Sequence, residues 1–382
     1  MNKAHFYLLI VLIMLPQIVE TIYSPALPSL SLAFQTAPPT MALTLSLYFI
    51  GFAIGVLIWG ILSDYFGRKP ILLCGLALYS LSCFAILYCT SFYSLLFWRC
   101  CAGIGIAVGS VITQTMLRDR FTATQLLSIF ALIGFFIAMS PSIGLFIGSY
   151  LSAHTGYRGI FYALAGSAAL LCLLSLYYCQ ETAPPQRAQH AFMQVAQRML
   201  RDAKVGCFAL LITAYNVLIF GYYIKAPFIF AAQNSETSYQ LYSGVFFAIG
   251  SLVGVWGNRY LLRRHANSAH VATRWILCIA MLCCVLGCLC AYLLQDQATF
   301  FMAMIIFMLA YAMAIPILLA QALQHYTEHK GTASALFSFG YYIAIALGLE
   351  ASKYISTLSM MFSVLSAIII ILSLWILQRR WL

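Results

Sequence analysis

Charge is what this chain is short of. Asp, Glu, Lys and Arg together make up 8% of its 382 residues, whereas about a quarter is usual for a soluble globular chain. Only nine residues are acidic. Hydrophobic residues reach 63%, and the mean hydropathy is +0.94, so a soluble domain is excluded. Signatures of catalysis and nucleotide binding are scarce as well. No GxxxxGK[ST] stretch occurs, which argues against ATP coupling within the chain. The glycines of "GIGIAVG" (103–109) lie inside an apolar run with no strand before them, so the dinucleotide fingerprint fails. An enzyme embedded in a membrane would need His, Asp or Ser clustered at one face. Here His265 and His270, or His325 and His329, are close only along loops, and the second pair lacks the composition of a zinc-binding HExxH. The cysteine-rich "CIAMLCCVLGCLC" (278–290) has no His, Asp or Glu beside it. Its thiols, like Cys74, Cys83 and Cys172, read as small apolar side chains. No metal and no cofactor is expected.

Long apolar runs recur from end to end, each of about 20 residues and so able to cross roughly 30 Å of hydrocarbon. Length and breakers place them near 6–30, 40–62, 71–91, 94–117, 125–151 and 159–179, then near 207–231, 239–262, 272–293, 298–323, 332–355 and 357–377. The first follows Lys3 as a signal peptide would. It runs too long for one, through Glu20 and two prolines, and reads as a span. The reading is all-α and integral to the membrane, with twelve transmembrane helices in two pseudo-symmetric six-helix bundles. Residues 1–180 and 207–382 form the bundles, and 181–206 form a polar cytoplasmic linker.

The net charge of +11 does not point to nucleic acid, because the basic residues lie in short loops. With the N-terminus inside, 16 of the 20 Lys and Arg fall on the cytoplasmic side, as the positive-inside rule requires. They include Lys3, Arg68, Lys69, Arg118, Arg120, Arg187, Arg198, Arg201, Lys204, Arg259, Arg263, Arg264, Arg274, Lys330, Arg379 and Arg380. Both termini are therefore expected in the cytoplasm. The halves also echo each other: "GILSDYFGRK" from residue 60 and "GVWGNRYLLRR" from 254, and Pro25 and Pro227. Such duplication is how many secondary transporters are built.

Five stretches carry a resemblance. In "GILSDYFGRKP" (60–70), Gly60, Asp64, Gly67, Arg68 and Lys69 fit the span 2–3 loop motif of the major facilitator superfamily, with Tyr65 in place of its usual basic residue. "LLFWRCCAGIGIAVG" resembles the span 4 motif, with Arg99, Gly103 and Gly105, and Ala102 where glutamine is common. "AMSPSIGLFIGSYL" resembles the span 5 antiporter motif through Pro141, Gly144 and Gly148, with Ser140 where glycine is usual. "GYRGIF" and "ETAPP" are similar to marks of one branch, the twelve-span drug:proton antiporters nearest bicyclomycin and chloramphenicol resistance. The resemblance implies a proton-coupled exporter of small drug-like molecules in the inner membrane, monomeric, driven by the proton gradient. It also implies that Asp64 meets the N-terminus of span 11 and latches the cytoplasmic side, with Pro141 and its glycines shaping the outer closure. A dedicated exporter of an endogenous metabolite or siderophore stays open, as does a proton-coupled uptake symporter.

Ionisable groups inside a membrane are costly and mark function by default. Glu20 is the one acid deep within a span. It lies roughly 21 Å from the cytoplasmic edge, and Arg99 lies roughly 9 Å from the outer edge of span 4, so the two reach a similar depth. Burial and a nearby cation push a carboxyl in opposite directions, which would let Glu20 load and unload a proton. The resemblance places the usual span 1 acid one position on, at Thr21. An offset of one turns a helical side chain by about 100°, which leaves the face of Glu20 open. The cavity candidates are Tyr23, Gln114, Tyr215, Asn216, Tyr222, Lys225 and Phe228. Glu350 and Lys353 are expected to pair at i,i+3.

Overall fold

The computed structural model describes residues 3–121, 123–183, 192–232, 236–265, 269–293, 297–326, 330–379 and 381. Arg187, Arg380 and part of the expected linker lie outside these. Every described element is helical, which satisfies the backbone groups within each segment where no water is available. The helices are α1 (Lys3–Ile22), α2 (Leu27–Ala33), α3 (Pro38–Met41), α4 (Leu43–Phe66), α5 (Arg68–Ile86), α6 (Phe92–Arg120) and α7 (Ala123–Tyr178). After these come α8 (Phe192–Arg201), α9 (Ala203–Ala232), α10 (Glu236–Arg264), α11 (Ala269–Leu293), α12 (Gln297–Ala322), α13 (Lys330–Ser352) and α14 (Leu358–Gln378). Among the described residues eleven helical stretches are long and apolar enough to cross a membrane.

The breaks have local causes. The first span is not one helix: α1 gives way to a 3-10 turn at Ser24–Ala26 and then α2, because Pro25 and Pro28 have no N–H to continue the ladder. Gly67, at φ 97°, separates α4 from α5, a backbone conformation glycine adopts without penalty. The fifth and sixth expected spans run together as α7, which bends at Gly156, φ 64°. Its 56 residues are about twice what a bilayer needs, so α7 supplies two crossings and the count reaches twelve. Ser91 caps α6 and Thr357 caps α14, each accepting a backbone N–H at 3.2 Å. The expected linker is not all loop, since it contains α8, which buries Val195 and Met199.

The chain divides into two compact units, Met1–His190 and Ala191–Leu382. Within the first, α6 packs against α4, α5 and α1, and α7 against α1 and α5. Within the second, α12 packs against α10, α11 and α9, while α13 meets α9 and α14 meets α11. The two units share one packing scheme, and it repeats in detail. The Tyr23 hydroxyl donates to Thr44 at 2.8 Å, and 199 residues further on (23 to 222, 44 to 243) Tyr222 and Ser243 are 3.1 Å apart. A side chain on Gly51 or Gly55 would meet the carbonyls of Cys100 and Ile104, and on Gly250 or Gly254 those of Ile305 and Leu309. Small residues at these positions let the backbones touch. This register equates Gly254 with Gly55, which shifts the sequence echo that had paired it with Gly60. It also sets Met304 in the place of Arg99 and Ile219 in that of Glu20.

Candidate functional site

Arg99 and Glu20 lie in the interior of the first unit, 0% and 2% exposed. They do not form a hydrogen-bonded ion pair: the three guanidinium nitrogens and Glu20 Oε1 have no hydrogen-bond partner. The carboxyl nevertheless lies within the electrostatic field of Arg99. Two ring faces hold the guanidinium instead, its carbon 3.9 Å from the centroid of Tyr23 and 4.7 Å from that of Tyr48. A desolvated cation over such a face gains about 2 kcal/mol or more, against a cost of several kcal/mol for taking an ion out of water. Tyr23 is fixed in turn by Thr44, whose hydroxyl donates to the Met41 carbonyl at 2.7 Å. Tyr79 and Cys83 of α5, both fully buried, lie within electrostatic reach of Arg99.

The face of Glu20 is set by its neighbour. Thr21 turns to α7, where its hydroxyl fills the space a side chain on Gly144 would need, and Gly148 lies as close to the Ile22 carbonyl. Glu20, a third of a turn away, lies towards α6 and α4. Pro141 and Gly144 thus sit on the helix that packs against the Thr21 side of α1.

A second cluster lies at the α4–α5 turn. Asp64 pairs with Arg68 four positions on, and Arg68 also donates to Ser63 at 2.7 Å and to Asp119 at 3.2 Å. Glu181, beyond the end of α7, accepts from the backbone N–H groups of Arg68 (2.9 Å), Lys69 (3.0 Å), Thr182 (2.8 Å) and Ala183 (2.9 Å). Lys69 reaches the Leu176 carbonyl at 2.8 Å. Burial pushes the Glu181 carboxyl up, but these backbone donors outweigh it and hold the group below its ordinary value. Gly60 packs loosely beneath the turn, its nearest neighbour Val111 at 3.9 Å from an added Cβ.

The cavity candidates fall in both units. Tyr215 and Tyr222 are buried in the second unit, Tyr222 against Phe247 with ring centroids 5.6 Å apart. Asn216 donates to the Ile212 carbonyl at 2.8 Å and accepts from Tyr311 at 3.1 Å. Lys225 donates to the Ile355 carbonyl. Phe228 is half-buried on the same helix. In the first unit, Gln114 reaches Ser110 at 3.5 Å. Glu350 and Lys353 form their i,i+3 pair. The sequence reading missed Tyr48, Glu181 and Tyr311. Tyr48 is one aromatic in an apolar run, and only the internal register, which aligns it with Phe247, singles it out.

The profile of the Major Facilitator Superfamily matches residues 9–349. This chain belongs to that family, a superfamily of membrane transporters and not of enzymes. An uncharacterized transporter of Rickettsia bellii is 31% identical over 366 residues, covering 90% of this chain and 88% of the relative. A bicyclomycin resistance protein homolog of Haemophilus influenzae is 28% identical over 172 residues, covering 45% and 43%. The latter places the chain near the drug-efflux branch. Among solved structures, the xylose transporter XylE of E. coli superposes with a TM-score of 0.72 at 13% identity, covering 98% of each chain, a likeness of fold. The chain is accordingly a multi-pass membrane transporter for a small molecule.

Proposed function

We propose that this transporter exports small, lipophilic or cationic drug-like molecules across the inner membrane by proton antiport with alternating access. Glu20 carries the proton, and Arg99 sets how readily it lets go. One observation carries this reading: the first unit buries a carboxyl and a guanidinium within electrostatic reach of each other, where the repeat of the same scaffold has Ile219 and Met304. The fold does not need these charges, so their cost is borne for another reason. The resemblance of the 141–148 stretch to the antiporter motif supports exchange over symport. The basic loops support cytoplasmic termini.

Everted vesicles, acidified inside, test the proposal through proton release on addition of a panel of cationic and neutral drugs. Compound-dependent release that disappears in Glu20→Gln is the expected result. Release that survives in Glu20→Gln moves the proton site elsewhere. Silence across the panel from folded protein replaces drugs with one dedicated endogenous substrate.

A further inference from the structure

Bare opposite charges buried together attract strongly, and an arginine free to move would close a two-pronged pair with a carboxylate. Arg99 does not, although all three of its nitrogens are without a hydrogen bond. The rings of Tyr23 and Tyr48 flank it at 3.9 and 4.7 Å. The Tyr48 hydroxyl is also without a partner, so it is the ring and not the hydroxyl that engages. Tyr48 is seated between Phe49 and Phe52, with centroids at 5.6 and 6.3 Å. In the second unit the equivalent rings, Tyr222 and Phe247, pack directly on each other, and the residue in place of the arginine is Met304.

We infer that Tyr48 is a positioning residue, whose ring face holds the Arg99 guanidinium short of Glu20 so that the cation biases the carboxyl's proton without capturing the carboxylate. A closed pair would keep Glu20 ionised throughout the cycle, and no cation at all would keep it protonated. A cation fixed at a distance allows both states. The groups facing Glu20 and its cation are Tyr23 just after α1, Tyr48 on α4, Tyr79 and Cys83 on α5, and Arg99 on α6. The helix α7 meets α1 at Ile18, Thr21 and Ile22 through Gly144 and Gly148. The inference rests on Glu20 as proton carrier, and the test separates the two.

The full-length protein in lipid is titrated by infrared difference spectroscopy of the Glu20 carboxyl, its band assigned with Glu20→Gln. The pH profile of drug-driven proton release is recorded alongside. Tyr48→Leu removes the face and frees the guanidinium to pair; Glu20 then stays ionised to a pH lower by about one unit or more, and the transport profile moves acid with it. Tyr48→Phe keeps the face and leaves both curves in place. Tyr48→Met, longer and more adaptable, replaces Tyr48→Leu should that variant fail to insert. An unmoved Glu20 titration in the variants that lack the ring overturns the inference, as does an equal shift in Tyr48→Phe. A shifted titration with an unshifted transport profile upholds the clamp and removes Glu20 from the coupling step.

Discussion

A guanidinium withdrawn from water costs several kcal/mol unless its charge is answered, and at position 99 two tyrosine faces answer it. Whether the residue is there for the fold can be asked of the protein itself, because the register of its second unit puts Met304 at the equivalent position. Replacing the buried arginine by an apolar side chain of similar length removes a desolvation cost of several kcal/mol, and a buried carboxyl left without its cation takes up a proton. Arg99→Met should therefore insert normally and melt no lower than the wild type in detergent. Drug-driven proton release should fall by about tenfold or more, since each unit by which the carboxyl's titration moves changes its protonation ratio tenfold. A variant that fails to insert would make Arg99 a structural residue. Depth, together with the resemblance that puts spans 1 and 4 on one cavity, links Glu20 with Arg99 in the sequence. The rings between which the arginine lies were not legible, because cation–π contact depends on which helix faces meet and has no spacing of its own along the chain.

At the scale of elements, the helices and their order follow from apolar length, and the breaks from Pro25, Gly67 and Gly156. What tertiary contact decides is not written along the chain. Asp64 meets Arg68 across the α4–α5 break, four positions on and beyond the helix that carries it. Glu181 was noted only as part of a family mark, and it is the cap of α5. Its hydrogen bonds can be tested by pH. A carboxyl held below its ordinary value contributes stability that is present in full above that ordinary value, near pH 4.3, and is lost as pH falls through the lowered folded value. Glu181→Gln keeps one acceptor oxygen and turns an amide N–H against the backbone donors. Its melting temperature should lie about 2–4 °C below the wild type at pH 7. That deficit should narrow as the pH falls below about 4, where the wild type loses the same charge. A deficit independent of pH would assign the loss to packing.

For the whole molecule, the informative contrast is between two units with one skeleton and different charges. Glu20, Arg99 and Asp64 in the first correspond to Ile219, Met304 and Arg263 in the second, while the tyrosine–hydroxyl bonds and the glycine contacts repeat. Packing alone thus constrains both halves equally, and whatever is confined to one half answers to something else. Asp64 is the sharpest case. Its bond to Arg68 satisfies the carboxylate but does not explain why the end of α4 carries an acid where the register puts Arg263 at the end of α10. If the acid belongs to the transport cycle, as the motif resemblance implies, Asp64→Asn should insert normally and lose roughly tenfold or more of transport, the scale of a 1–3 kcal/mol coupling between conformations. Arg263→Asn, the same change of charge magnitude at the equivalent position, is exposed and should keep most of the activity. Initial rates in vesicles, normalised to inserted protein, decide it. Equal losses in the two variants would mean that any charge change at a basic turn disturbs the bundle. A loss confined to Asp64→Asn would make the acid the functional difference between two halves that otherwise fold alike.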